Sequence, residues 1–296
     1  MLNNTLIQLV PNKTAEIQGI SVSVLRLDLI HPVVSGNKIF KLKHYLASAL
    51  NEKKQQLITF GGSYSNHLVA TAFAAQQNGL MALGYVRGEA PEKLSDTLSD
   101  CINYGMELKF VPRLEYDALQ QDAIKKENRE AIVIPYGGHG RLGAMGAKEI
   151  LAFETVQNYN TIMASCGSGT MGAGLLAAMN SKQKLFLFSA VKNNFSIEAE
   201  IKSLLMKEEY ANKSFTINHQ YHFGGFAKKD DYLLEFMNVF YRETAIPTDF
   251  VYTGKLVYAM NDMIQKQLIP EGSNILLIHS GGLQGNRSLK NKELIF

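Results

Sequence analysis

The stretch "TIMASCGSGTMGAGLLAAMNS", residues 161–181, changes character twice within a few positions. "TIMAS" (161–165) is a short apolar run opening on β-branched Thr161 and Ile162, "GSGTMGAG" (167–174) is a Gly-rich turn, and "TMGAGLLAAMNS" (170–181) carries apolar residues at helical spacing. A strand that passes through a tight turn straight into a helix is the repeating unit of an α/β protein.

The same unit recurs on both sides. Apolar, β-rich runs lie at "SVSVLRLDL" (21–29), "QLITF" (56–60), "MALGYV" (81–86), "ELKFV" (107–111), "AIVIP" (131–135), "KLFLFSAV" (184–191) and "NILLIHS" (274–280). Helical patterns separate most of them, as in "SNHLVATAFAAQQNG" (65–79). Alternating strands and helices predict parallel-rich sheets covered by helices on both faces. The Gly-rich segment "YGGHGRLGAMG" (136–146) divides the units into two groups and reads as a hinge or inter-domain surface. The expected domains are a small one over 36–148 and a large one built from 1–35 plus 149–296.

A chain of 296 residues, 46% hydrophobic and 19% charged, is long enough for one large or two medium cores. Its net charge of +3, from 30 basic and 27 acidic residues, is scattered along the chain and leaves no footprint for nucleic acid. Cys101 and Cys166 form neither a disulfide framework nor a metal-binding spacing, so no metal is expected and a reducing compartment fits. "MLNNTLIQLVPNK" lacks a signal-peptide pattern and no apolar run reaches the roughly 18 residues that span a bilayer. A cytoplasmic protein without membrane contact is expected.

Three turns carry chemistry. Gly167 to Gly172 fit G-x-G-x-x-G, which admits a nicotinamide- or flavin-binding fold. That fingerprint needs an acidic residue at the end of the next strand, and "KLFLFSAV" ends in Ser189, Ala190 and Val191, followed by Lys192; an NADP-binding oxidoreductase is the alternative this leaves. A phosphate cup made of backbone N–H groups with Ser168 and Thr170 is the other reading, and a plain strand-to-helix turn the third. "FGGSYSNH" (60–67) sets Ser63, Ser65, Asn66 and His67 at the C-terminal edge of a strand, where open α/β folds bind ligands, although Ser65 or Asn66 also suits an N-cap. "SGNKIFKLKHYL" (35–46) opens a helix with Asn37 as expected N-cap and Ile39, Leu42, Leu46 and Leu50 as its buried face. Lys38 then lies in the first turn, where the helix dipole and Lys41 both lower its pKa, as would any desolvation between two domains, leaving either a tolerated surface lysine or a nucleophilic amine. A lysine amine together with a phosphate cup is what pyridoxal phosphate requires.

"SGNKIFKL", "FGGSYSNH", "GSGTMGAG" and "DFVYTGK" (249–255), in this order and spacing, resemble the 1-aminocyclopropane-1-carboxylate deaminase and D-cysteine desulfhydrase family, pyridoxal-phosphate enzymes of the tryptophan-synthase-β type, fold type II. The resemblance covers about residue 20 to about 285. It implies Lys38 as the Schiff-base lysine, Lys41 as a supporting cation, and Ser65 on the far face of the cofactor, binding or deprotonating the substrate. It further implies Asn66 at the ring oxygen, Gly167, Ser168, Gly169 and Thr170 on the phosphate, Tyr252 near the ring and Thr253 at the pyridine nitrogen, with His67 and Tyr252 among the substrate contacts. The deaminases of the family carry Glu at the position of Thr253 and the desulfhydrases Thr, and "SNH" (65–67) also resembles the desulfhydrases. The expected reaction is β-elimination from a small amino acid, D-cysteine first and 1-aminocyclopropane-1-carboxylate second, in a homodimer. The sequence departs from the family pattern at Phe226, where a tyrosine is expected and Tyr221 or His222 would have to substitute, and at "LRLD" (25–28).

Overall fold

The computed structural model describes residues 6–126, 128–289 and 293–296; the first five residues of the N-terminal stretch considered above lie outside them. Its strands form two sheets. Four of them, β3 (Gln56–Gly61), β4 (Met81–Arg87), β5 (Met106–Val111) and β6 (Ala131–Ile134), pair in parallel in the order β5-β4-β3-β6. The other sheet has the order β1-β2-β10-β7-β8-β9 and is built from β1 (Ile7–Leu9), β2 (Ser21–Arg26), β7 (Thr161–Cys166), β8 (Lys184–Ser189), β9 (Ser214–Asn218) and β10 (Asn274–His279). Only the β1–β2 pair in it is antiparallel.

Helices cover both faces of each sheet, and the alternation along each strand shows why. On β7 Ile162 and Ala164 join one core with Leu175 of α7 (Thr170–Ala178) and Ile201 of α8 (Ile197–Ser203), while Met163 between them joins the opposite core with Leu256 and Met260 of α10 (Thr253–Gln265). β10 does the same, with Leu276 and Ile278 on one side and Ile275 and Leu277 on the other. Successive side chains of a strand point to opposite faces, so a strand apolar at every position must be buried twice. The four-stranded sheet packs Leu57 and Ile134 against Leu42 of α2 (Asn37–Asn51) and Leu68 of α3 (Asn66–Gln77), and Phe60 against Tyr116 of α5 (Arg113–Lys125).

Two local expectations change. The α2 cap position is Gly36, at φ 68, and Asn37 is the first helical residue. The buried positions of α2 are Asn37, Lys41, Leu42, Tyr45 and Ala49, while Leu50 is 48% exposed. The helix is enclosed on two sides: Leu42 faces the small sheet, and the opposite flank meets α6 (Arg141–Lys148) at Gly146, where an added Cβ would stand 1.9 Å from the Phe40 carbonyl oxygen. The Gly-rich stretch at 136–146 is therefore largely a tightly packed helix, set between α2 and α7.

The parallel strands β7 and β10 of one sheet and β3 and β6 of the other all deliver their C-terminal ends to one cavity. This is the edge at which α/β sheets bind ligands.

Candidate active site

That cavity has a volume of about 260 Å³ and is lined by Lys38, Lys41, Ser65, Asn66, His67, Gly167, Ser168, Gly169 and Tyr252, among others. The candidate residues thus come from four separate turns and nearly all of them meet at one place. Thr170 and Thr253 stand just behind the wall, fully buried.

Lys38 is brought there by a close backbone contact. Gly36 occupies a left-handed conformation that L residues with a Cβ rarely adopt, and the Asn37 N–H donates to the Ser280 carbonyl at the end of β10, 2.8 Å away. The Lys38 amine then donates to the Asn37 side-chain oxygen at 2.7 Å. Burial pushes its pKa down from 10.5 to about 8, with Asp249 pulling the other way. Of the expected causes, desolvation is the one that acts most strongly, and repulsion from Lys41 is not among those acting on Lys38. The repulsion between the two amines falls on Lys41, held well below the usual lysine range first by burial and then by Lys38. Lys41 makes one long hydrogen bond, 3.4 Å to the Gly137 carbonyl. Lys43, in contrast, is exposed and pairs with Glu149 at 2.5 Å.

Ser65 is the N-cap of α3, accepting from the Leu68 N–H at 3.2 Å, which leaves its own proton free to donate. Behind it, the Thr59 hydroxyl donates to the Ile134 carbonyl (2.9 Å), so the 2.8 Å contact between Thr59 Oγ1 and His67 Nε2 requires the proton on Nε2. His67 Nδ1 is then an acceptor, and it has no partner; burial, followed by Lys38 and Lys41, keeps the ring neutral. Asn66 donates to the Gly282 carbonyl at 3.0 Å, and its side-chain oxygen is likewise buried without a partner.

The turn after β7 ends on Gly169, left-handed at φ 76, the N-cap of α7. A Cβ there would stand 2.9 Å from the Ile201 side chain, and one at Gly167 would stand 3.1 Å from the Tyr252 hydroxyl. The free backbone donors at the start of α7, the Ser168 hydroxyl at 3.2 Å from that of Thr170, and buried Lys41 beside Cys166 together suit a dianion. Thr170 itself also contacts His139 Nδ1 at 3.0 Å. The end of β8 holds no carboxylate: the Ser189 hydroxyl donates to the Val191 carbonyl at 2.9 Å and Lys192 is exposed.

Thr253 stands behind the cavity wall, on Asp249, which lines it. Its hydroxyl donates to Asp249 Oδ1 and accepts from the Asp249 N–H, both at 2.7 Å. Asp249 in turn accepts from the N–H groups of Val251, Tyr252 and Thr253 at 2.9 to 3.0 Å, so this knot fixes the start of α10 and the position of Tyr252. Phe226 lines the cavity and meets the Tyr252 ring edge-on, with centroids 5.9 Å apart. Neither Tyr221 nor His222 replaces its missing hydroxyl. Tyr221 donates to Asp262 at 2.7 Å on α10, and His222 accepts from the Gly224 N–H; both lie off the cavity wall. Asp249, Ser280, Gly281 and Tyr136 line the cavity without having been singled out in the sequence, because topology alone brings them there. For Tyr136 a signal did exist: like Ser65, it lies in the turn that follows a strand.

Among the described residues no helix is long and apolar enough to cross a membrane, and no group of three or more His, Cys, Asp or Glu is placed to hold a metal ion.

Residues 3–281 match the family described as pyridoxal-phosphate dependent enzyme. A Pyrococcus horikoshii protein provisionally named 1-aminocyclopropane-1-carboxylate deaminase is 29% identical over 297 residues, covering 95% of this chain and 90% of its own. The Arabidopsis thaliana bifunctional mitochondrial D-cysteine desulfhydrase/1-aminocyclopropane-1-carboxylate deaminase is 29% identical over 300 residues, covering 90% of this chain and 73% of its own. A crystal structure described as an ACC deaminase homologue superposes with a TM-score of 0.78 at 27% identity, over 95% of this chain and 90% of that one. The chain belongs to the pyridoxal-phosphate dependent enzymes, and its fold is that of fold type II. The cavity fits the cofactor: a lysine amine with a lowered pKa, a phosphate-sized turn at a helix N-terminus and two buried polar atoms without partners share one wall.

Proposed function

We propose that this enzyme removes the β-substituent of a small amino acid and releases a keto acid and ammonia, with D-cysteine preferred, giving pyruvate, hydrogen sulfide and ammonia. The observation that carries the reading is the convergence of Lys38, the Ser65–Asn66 turn and the 167–170 turn on a single cavity.

In this reading the bound cofactor supplies an aldehyde carbon for the substrate amine and an electron-withdrawing ring that makes the α-proton acidic. The chain supplies the rest. Lys38 would hold the cofactor, and its amine, when not so engaged, would take the proton from Cα. Ser65 and the N-terminus of α3 hold the substrate carboxylate from the other face, with Ser65 donating. Asn66 and His67 direct polar atoms at the cofactor and substrate. Gly167, Ser168, Gly169, Thr170 and Lys41 hold the phosphate, and Tyr252 covers the ring. The small domain, 36–148, and the large one, 1–35 plus 149–296, meet at this site, and the family expectation of a homodimer is retained.

The preference for D-cysteine rests on Thr253. A neutral hydroxyl already engaged with Asp249 leaves the ring a weaker electron sink than a glutamate would, and sulfide is a better leaving group than a cyclopropane carbon. The name of the Arabidopsis relative includes both activities. Deamination of 1-aminocyclopropane-1-carboxylate is the second reading, favoured by the name of the Pyrococcus relative. Keto-acid release from D-cysteine, L-cysteine, D-serine and 1-aminocyclopropane-1-carboxylate decides between them. D-cysteine is expected to be fastest; equal rates, or none, would remove the preference.

A further inference from the structure

Tyr136 stands two residues beyond the end of β6, beside the β3 edge that carries Ser65 and Asn66. Its backbone is pinned. The Tyr136 N–H donates to the Gln120 side chain at 3.0 Å, the next carbonyl, that of Gly137, receives Lys41, and a Cβ on Gly138 would lie 3.1 Å from Lys41 Cβ and 3.5 Å from the His67 ring. The side chain lines the cavity yet is 38% exposed, which places it at the mouth.

Tyr136 shares the cavity lining with Tyr252. A charge on Tyr136 would be felt by both Tyr116 and Tyr252, and the Tyr116 hydroxyl is itself 3.4 Å from the Gly61 carbonyl at the end of β3. Burial raises the Tyr136 pKa, so at neutral pH the group is a proton-bearing donor. Phe226, which also lines the cavity, offers no hydroxyl.

The three groups on the substrate's Cα and amine are not equally provided for. The amine goes to the position of Lys38, and the carboxylate to the start of α3, where backbone N–H groups favour an anion. The side chain remains, and Tyr136 is a hydroxyl-bearing residue of the cavity lining that has not yet been given a role. We propose that Tyr136 is a specificity-determining residue that donates its hydroxyl hydrogen bond to a heteroatom on the substrate's β-carbon. The assignment rests on the elimination reading above. A site built to hydrogen-bond such a group discriminates against the analogue lacking it, because the donor is then left unpaired.

The test is spectral titration of the cofactor-loaded protein with serine and alanine, each in both enantiomers, for wild type and Tyr136→Phe, with melting temperatures recorded alongside. Serine and alanine share the amine and carboxylate and differ only by the β-hydroxyl. Wild type is expected to bind serine of the preferred hand about tenfold more tightly than alanine. Tyr136→Phe is expected to bring that ratio close to one, with alanine binding and melting temperature unchanged. A ratio that persists in Tyr136→Phe, or a loss that is equal for both ligands, overturns the assignment. No response of the wild type to any amino acid overturns the amino-acid reading itself and this one with it. Serine selectivity that depends on Tyr136, without keto-acid release from any β-substituted amino acid, upholds the contact and removes the elimination.

Discussion

Gly36 and Ser280 are in backbone contact: a Cβ on Gly36 would stand 1.8 Å from the Ser280 carbonyl oxygen, the same oxygen that accepts the Asn37 N–H at 2.8 Å. The start of α2 is thereby fastened to the end of β10, which sets where Lys38 enters the cavity.

Gly36→Ala is therefore expected to be severe. The residue would meet both a disfavoured φ of 68 and a clash with backbone that cannot rotate away, together costing on the order of 3 kcal/mol or more. Urea denaturation measures the loss, and cofactor content after purification should fall with it. A variant of wild-type stability and full cofactor content would show that the contact does not position Lys38.

Lys38 makes stability depend on pH in a defined direction. Its pKa is about 8 in the folded cofactor-free chain and 10.5 as a free side chain, so between these values the folded state holds fewer protons and stability rises with pH. Below about 8 both states carry the charge and the cost of burying it is constant. Lys38→Met, without that cost, should be more stable than wild type at pH 7 by at most about 3 kcal/mol, with the gap closing toward pH 10.5. Denaturant titrations of both proteins across this range check it. A gap that widens with pH has the wrong sign.

Lys41 separates phosphate recognition from ring recognition. Its single 3.4 Å hydrogen bond leaves a buried amine short of acceptors, a deficit that a phosphate would fill. Lys41→Met should weaken binding of pyridoxal phosphate by about tenfold or more while changing the affinity for unphosphorylated pyridoxal little. Equal losses for the two ligands would place Lys41 at the ring or in the scaffold instead.

Thr253 is expected to act on the fold as well as on the chemistry. Thr253→Val removes the donor and acceptor that Asp249 uses, leaving a buried carboxylate oxygen and N–H short of partners, at a cost of about 1–3 kcal/mol. Thr253→Ser, which keeps the hydroxyl, should remain near wild type. The two melting temperatures give the answer, and a stable valine variant would mean the knot at the start of α10 is dispensable.

The sequence revealed the strands that are apolar throughout, because burial on both faces leaves no doubt about their place. It did not reveal β1, only three residues long, or β9, "SFTIN", both at the margins of the large sheet where one side is unpaired and the apolar signal is thin. The Gly-rich turns and Lys38 were legible because glycine, serine and lysine at helix starts have few other uses. Asp249 and Ser280 were not: Ser280 enters the site because β10, from the end of the chain, inserts between β2 and β7, and Asp249 because its hydrogen bonds to residues 251–253 hold it at the start of α10. The sequence carries the direction of the Lys38 pKa shift and names burial among its causes, but only the fold shows that burial outweighs the dipole and Lys41.

The central claim is that Lys38 carries the cofactor. Borohydride reduction of the pyridoxal-phosphate-loaded protein, followed by peptide mass mapping, should place the fixed pyridoxyl group on the peptide containing Lys38 and abolish the visible absorbance band, while Lys38→Ala should show neither band nor label. Label on Lys41 or Lys255, or an undiminished band in Lys38→Ala, would contradict it.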